Sequence, residues 1–467
     1  MKKIVTNKLI VVAFLPLLLQ SCFVAKTYER PAIETEALFR TDQLPQDSIS
    51  FASVSYKDLF TDEYLKGYIE KGLENNLDIR IALQNINSAA AYVKQGKANY
   101  LPTLNLSATG TRTAQNSANG LYGSLFTNPY SVYDLTGTLS WEADIWGKIR
   151  SGKRANDADY LQTVEAHKAV KTDLVAQIAA TYYQLLALDE QIEVTEKTII
   201  NRSKSLETIK ELKVAGQANQ VGVDQTAAQL YSAQSQLLDL KNALFITENT
   251  LSLLLGEEPQ THSRSTLEEQ RLASEMQLGV PSLLLRNRPD ILQAEYALIN
   301  AFELANVAKS NFYPSITLSA NAGYNSLELD NWIDSGSIFA NLVGGLTQPL
   351  LNGRKIRTAY EVSKANQEQA LLQFKKALLT AGREVSEAFY DFQIAVEKET
   401  FITNQVIALR RAEENSQELL NSGYLTYLDL LTARENALNA ELNLIDNKLS
   451  QLSATVELYR SLGGGWH

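Results

Sequence analysis

Two periods of hydrophobicity alternate along this chain. From about residue 62 to 98 apolar residues recur at helical spacing, and Pro102 then closes the run, because proline cannot continue a helix and disfavours helical backbone at Leu101. Beyond it the period drops to two: Leu104, Leu106, Ala108 and Gly110 alternate with Asn105, Ser107, Thr109 and Thr111. A polar loop over about 113–129 leads to a second alternating run, in which Tyr133, Leu135, Gly137, Leu139 and Trp141 share one side. The spacing predicts strands over about 103–112 and 130–141, each with one apolar and one polar face. The same plan returns in the second half and predicts strands over about 315–324 and 337–348. Strands of this length suffice to cross a bilayer at a tilt.

Long helices fill the rest. Leu174, Ile178, Thr181, Leu185, Leu188, Ile192, Thr195 and Ile199 step by four and three, as do Leu371, Phe374, Leu378, Ala381, Val385, Ala388, Phe392 and Ala395. These are coiled-coil seams. A helix from about 155 to 213 would reach roughly 90 Å at ~1.5 Å per residue. Each long run stops at a glycine, Gly216 and Gly423, and a second helix returns. Asp78-Ile79 before Pro102 is matched by Asp290-Ile291 before Pro314, so the chain reads as a duplicated helix–strand–strand–helix unit. The first repeat runs over 62–257, an equatorial connector over 258–280, the second repeat over 281–457 and a C-terminal tail over 458–467. Gly463 to Gly465 lacks the Lys-Ser/Thr of a phosphate loop and reads as a flexible tail.

The first residues carry Lys2, Lys3 and Lys8, then an apolar core from Leu9 to Leu19, which predicts a signal peptide over 1–21. It runs into Cys22, the chain's one cysteine, which can form no internal disulfide. A small residue before Cys at the end of an apolar core resembles a bacterial lipobox, with the thiol acylated after cleavage. Residues 22–61 then form a lipid-anchored, extended lead with Pro31 and Pro45. The net charge of −10 argues against nucleic-acid partners. The three histidines, His167, His262 and His467, are scattered, and no ligand cluster or nucleophile elbow appears, so neither a bound cofactor or metal nor catalysis is expected.

Four strands cannot close a barrel, and open edges are not tolerated in lipid, so several chains must pool their strands. The competing reading of the strands is a soluble sandwich. Tyr100, Phe312 and Tyr313 where helix becomes strand, with Trp141 and Trp146 where strand returns to helix, instead fit the interfacial aromatics of a membrane barrel. Helices feeding every strand would then surround a hollow cylinder. The competing function is a lipid-anchored periplasmic coiled-coil tether that does not conduct, but a tether needs no lipid-facing strands.

Several stretches resemble one family, the TolC-like outer-membrane factors, in the OprM/NodT-type efflux lipoprotein branch. They are Trp141 to Arg150, Leu284 to Ile291 with Ala294-Glu295, Leu458 to Trp466, and Tyr28 to Pro31 after Cys22. The resemblance covers essentially the whole mature chain. It implies a mainly α protein with a membrane portion: a trimer whose twelve-stranded outer-membrane β-barrel stands on a long periplasmic α-helical barrel. It implies the passive exit duct of a tripartite efflux pump in a Gram-negative outer membrane. The partners would be a periplasmic adaptor and an inner-membrane transporter of the resistance–nodulation–division type. The helix-turn-helix tips would be the adaptor-contacting ends, with Leu212, Gly216, Leu420, Ser422 and Gly423 in the contact. Asp429 would ring the periplasmic aperture, while Thr432 stands where the prototype carries a second aspartate. Phe23 after Cys22 resembles lipoproteins sent to the outer membrane. If the strands rather than the lipid hold the protein, Cys22→Ala still fractionates with outer membranes and still runs as a trimer; a soluble monomer on the same gradients would reject the barrel.

Overall fold

A computed structural model describes residues 25–32, 55–114, 129–271 and 288–466. The predicted signal peptide, Cys22, most of the first external loop and the Leu284–Asn287 part of the second-repeat motif lie outside the described residues. The elements in order are α1 (Tyr56–Leu59), α2 (Glu63–Asn75), α3 (Leu77–Ala98), β1 (Thr103–Thr113), β2 (Tyr130–Ala143), α4 (Lys148–Val214) and α5 (Gln220–Leu254). Then follow α6 (Pro289–Ser310), β3 (Ser315–Ser326), β4 (Ile338–Thr347), α7 (Lys355–Asn421) and α8 (Tyr427–Ser461). The duplication shows in element lengths: α3 and α6 both have 22 residues, α4 and α7 both 67, α5 and α8 both 35. All four strands and both long hairpins stand where the hydrophobic periods put them, within a few residues.

Among the described residues, one compact unit comprises 25–32, 86–114, 129–163 and 294–374 and holds the sheet. Its strand order is β1-β2-β3-β4, antiparallel throughout. The register aligns the apolar rows of all four strands. Leu104 faces Leu139, which faces Ala320, which faces Leu342; two same-face steps on, Ala108, Leu135, Tyr324 and Ile338 form the same kind of row. Between them lie the polar rows, such as Asn105, Thr138, Asn321 and Asn341. A one-residue slip in any pairing would scramble this division, so the two-faced pattern also fixes the register. Leu104 and Leu106 are about three-quarters exposed in the single chain, so the apolar face has no cover within it. β1 and β4 are the free edges.

The corner from β2 into α4 is built by the Trp141–Arg150 stretch. Asp144 caps α4 by accepting from the Ile149 and Arg150 amides at 2.9 and 2.8 Å, where its charge also meets the positive end of the helix. Lys148 pairs with Glu142 at 3.0 Å. In the same unit residues 26–30 lie along α6: Lys26 and Asn306 exchange two hydrogen bonds, Tyr28 packs edge-on against Phe302, and Arg30 pairs with Glu295.

The other unit comprises residues 33–85, 164–293 and 375–467. Its core gathers Leu65, Ile69, Ile178, Tyr182, Leu185, Leu251, Leu255, Leu267 and Tyr459, all buried. The predicted seams are its spine: Leu174, Ile178, Leu185 and Leu188 are buried on α4, and Val385, Ala388 and Ala395 on α7. Two expectations fail here. The helix expected over 62–98 is broken at Asn76, whose side chain accepts from the Asp78 and Ile79 amides and donates to the Leu254 carbonyl. A capping asparagine with a tertiary partner outcompetes continued helix. The tail expected to be flexible is instead packed: Leu462 to Gly465 are buried, and Lys168 sits 4.5 Å above the Trp466 ring.

The glycines there are steric necessities. A Cβ on Gly464 would come within 2.3 Å of the buried Tyr459 ring, whereas one on Gly67, in the interior of α2, would meet nothing within 4 Å. Gly464→Ala is therefore expected to cost about 1–3 kcal/mol, while Gly67→Ala gains roughly 0.5–1 kcal/mol from helix propensity. Opposite shifts of the thermal midpoint, followed by circular dichroism at 222 nm, check both signs.

Candidate functional site

The two helix-turn-helix tips are made by the same chemistry. At the end of α4 the Gln217 amide donates to the Leu212 carbonyl at 2.8 Å and the Gly216 amide to Lys213 at 3.0 Å, with Gly216 at φ +74°. At the end of α7 the Tyr424 amide donates to Leu419 at 2.9 Å and the Gly423 amide to Leu420 at 3.0 Å, with Gly423 at φ +78°. Both are left-handed C-terminal caps that only glycine adopts without strain. Each returning helix then has its own N-cap, Asn219 on α5 and Thr426 on α8. Glycine stop and polar start together reverse the chain.

Asp429 belongs to that start. Thr426 and Asp429 form a reciprocal capping box, with the Thr426 amide donating to the Asp429 carboxylate at 3.1 Å and the Thr426 hydroxyl at 2.5 Å. These donors hold the exposed carboxyl below its ordinary value, so it carries charge at neutral pH. Three residues on, Thr432 is turned to its own helix and donates to the Leu428 carbonyl at 3.0 Å.

Four of the five tip residues singled out from sequence come together. Leu212, Leu420, Ser422 and Gly423 line one groove of about 900 Å³ between the hairpins, alongside Ser205 and Arg434. Gly216 is not in the lining; its flank is open.

Sequence reasoning missed what fastens the hairpins. Arg202 on α4 is buried, donates to the Gln229 carbonyl on α5 at 2.6 Å, and pairs with Glu435 on α8 at 2.5 Å. Arg434 on α8 donates to Ser205 on α4 and, at 2.7 Å, to Gln417 on α7. Arg410 on α7 bonds Glu441 at 2.5 Å and Glu413 at 2.7 Å. A signal was present: Arg202 occupies the next seam step after Ile199, with Leu206 and Ile209 continuing the buried row. A charge on an apolar seam needs a partner.

The five aromatics expected at the membrane interface share one end of the sheet. The Trp141 indole donates to the Tyr100 carbonyl at 2.9 Å, and the Trp146 indole donates to Pro314 at 2.7 Å while its ring stacks on Tyr313 at 4.9 Å. Phe312 lies edge-on to Tyr360. The buried pair of Ser252 and His262, 2.8 Å apart, is structural: Tyr68 covers the imidazole and burial lowers its basicity. Among the described residues no helix is long and apolar enough to cross a membrane.

A two-faced antiparallel sheet joined to long paired helices defines the TolC-like class of channel. The outer membrane efflux protein family model matches residues 68–257 and 280–464, and the chain belongs to that family. It is 30% identical over 465 residues to the solvent efflux pump outer membrane protein SrpC of Pseudomonas putida, covering 97% of both chains. It is 27% identical to the cation efflux system protein CusC of Escherichia coli, covering 96% of this chain and 97% of that one. The MtrE outer membrane channel of Neisseria gonorrhoeae, solved in its open state, superposes with a TM-score of 0.82 at 25% identity, covering 95% of this chain and 98% of that one. The protein is an outer-membrane efflux channel, the exit duct of a tripartite pump, and not an enzyme.

Removing the charge of Glu435 isolates the role of the fastening. Glu435→Gln leaves the buried Arg202 guanidinium with a neutral partner; Glu435 itself is partly exposed, so the expected cost is about 1–2 kcal/mol rather than that of a fully buried pair. Faster amide exchange confined to α8 around Glu435 and α5 around Gln229 would show it; unchanged exchange there would mean the pair contributes nothing.

Proposed function

We propose that three copies pool their sheets into one twelve-stranded barrel, with the apolar rows against lipid and the Asn, Ser and Thr rows against water. The observation that carries this is the register: an unbroken apolar face across four strands that ends at two unpaired edges. Two copies would supply eight strands, a size whose interior side chains fill; twelve leaves room for a water-filled lumen. The number three rests on the family resemblance. The acyl chain on Cys22 would be an added anchor, and the duct would work passively and without a cofactor.

The tips form the periplasmic end in this reading. The groove lined by Leu212, Leu420 and Ser422 offers an adaptor hairpin both apolar and polar contacts. Transport is driven by an inner-membrane partner of the resistance–nodulation–division type. Relatives named for solvents, toluene and cations stand at 26–30% identity to this chain, which fits a duct that leaves cargo selection to that partner.

Asp429 supplies negative charge at the aperture, and its capping box fixes where that charge sits. Asp429→Asn keeps an oxygen to accept from the Thr426 amide and removes the charge. It is expected to lower cation-over-anion selectivity in planar bilayers several-fold, with the tip still folded. Asp429→Ala loses the cap as well and should add leak. Unchanged selectivity in Asp429→Asn would remove the aperture role while leaving the barrel intact.

A further inference from the structure

The geometry points to the β3–β4 loop, residues 327–337, as a lipid-contacting collar that completes the outer rim of the barrel's apolar band. The partner is the hydrocarbon–headgroup boundary of the outer leaflet, and the inference rests on the lipid-facing sheet described above.

The first argument is height. The aromatic residue nearest the helices on β2 is Trp141, and the last aromatic in the same row is Tyr133. Eight residues at ~3.3 Å each give roughly 26 Å along the strand, which a tilt of ~40° reduces to about 20 Å of bilayer, short of the ~25 Å apolar band of membrane barrels. The strand itself runs on to Tyr130, but Ser131 follows Tyr133 on that side, so the apolar row of β2 stops short of the outer few ångströms.

The second argument is what the loop brings there. Trp332 folds back so that its ring lies 6.1 Å from that of Tyr133. Tyr133 lies on the apolar face, its own ring within 3.6 Å of where a Cβ on Gly110 would stand. The loop is thus continuous with the lipid-facing row. Leu327, Leu329 and Ile333 are 49%, 58% and 69% exposed, and Ile338, which ends the apolar row of β4, is 60% exposed. Single exposed apolar residues are ordinary, but a cluster of this density in one short external loop costs free energy in water. The loop is also held in shape: Asp334 caps a short 3-10 turn by accepting from the Gly336 amide at 3.0 Å, and Ser337 donates to the Asn331 carbonyl at 2.7 Å. Tryptophan beside tyrosine at the end of a lipid-facing row is the composition of an interfacial girdle. The inner girdle (Trp141, Trp146, Tyr313) is written in the strand ends; the outer one is completed by a loop.

The test uses the full lipidated protein. Because Cys22 is the chain's one cysteine and its thiol carries the lipid, an introduced cysteine takes a nitroxide label alone. Labels at Ile333→Cys, at Leu106→Cys on the apolar sheet face and at Lys210→Cys on an exposed helix position are compared in phosphatidylethanolamine–phosphatidylglycerol liposomes. Collisions with oxygen and with a water-soluble nickel chelate are read out. The oxygen-to-nickel ratio at Ile333→Cys is expected to exceed that at Lys210→Cys by about threefold or more, as for an interfacial site. A ratio equal to that at Lys210→Cys places the loop in water and overturns the collar. A label shielded from both reagents means that a second copy covers the loop, and overturns it too. Leu106→Cys separates the two readings: if it reports lipid while Ile333→Cys reports water, only the collar fails; if both report water, the lipid-facing sheet fails with it.

Discussion

A strand edge in hydrocarbon is the constraint from which the rest of this molecule follows. Each unpaired backbone amide or carbonyl in lipid costs several kcal/mol. β1 and β4 each present a whole row of such groups. The sheet therefore cannot be a membrane element by itself, and the apolar face it exposes cannot be an aqueous surface. Both problems have one solution, edge-to-edge closure with other copies. In the closed ring proposed above, each strand's inner end would continue into a helix, so a ring of strands would carry a ring of helices. The lumen is then a consequence of barrel size.

Duplication makes this closure geometrically easy. Helices of 22, 67 and 35 residues recur in both halves. In the trimer proposed above, a chain of two near-equivalent units would offer the ring six similar positions rather than three dissimilar ones. The tips keep the equivalence in their glycine caps and depart from it in their starts. Asn219 caps α5 alone, whereas Thr426 and Asp429 cap α8 as a pair. A capping acid therefore stands at only the second tip, while Asp224 on α5 accepts from Gln220 instead.

Much of this was legible in the sequence because burial in this architecture is periodic. Alternation at Leu104, Leu106 and Ala108 needs only one face in lipid, and the steps from Leu174 to Leu188 need only one neighbouring helix. What escaped was every feature whose partner is remote in sequence. Asn76 breaks a helix because the Leu254 carbonyl is there to receive it. The tail is packed because Thr172 and Val175 stand against Gly465 and Lys168 lies over Trp466. Arg202 is tolerated on a seam because Gln229 and Glu435 meet it. Period reveals a face; it does not reveal what that face meets.

The tip shows how these two kinds of information combine. Helix propensity and glycine caps are enough to form two hairpins, and near the turn of the first the apolar cluster is small, made of Leu206, Ile209, Val223 and Leu230. On the side of it away from the turn, Arg202 and Arg434 join the two hairpins through carboxylate, carbonyl, hydroxyl and amide partners, while Arg410 ties α7 to α8. Apolar packing is indifferent to small slides along the helix axis, whereas a guanidinium held by a carboxylate and a carbonyl has one geometry and loses most of its energy when displaced. A duct end fastened this way is held in a defined arrangement without being fused. Ion pairs that are partly open to water also exchange partners at lower cost than a dry core repacks. The same chemistry also makes the tip sensitive to charge, because neutralising one partner of a buried guanidinium leaves a polar group that apolar packing cannot satisfy.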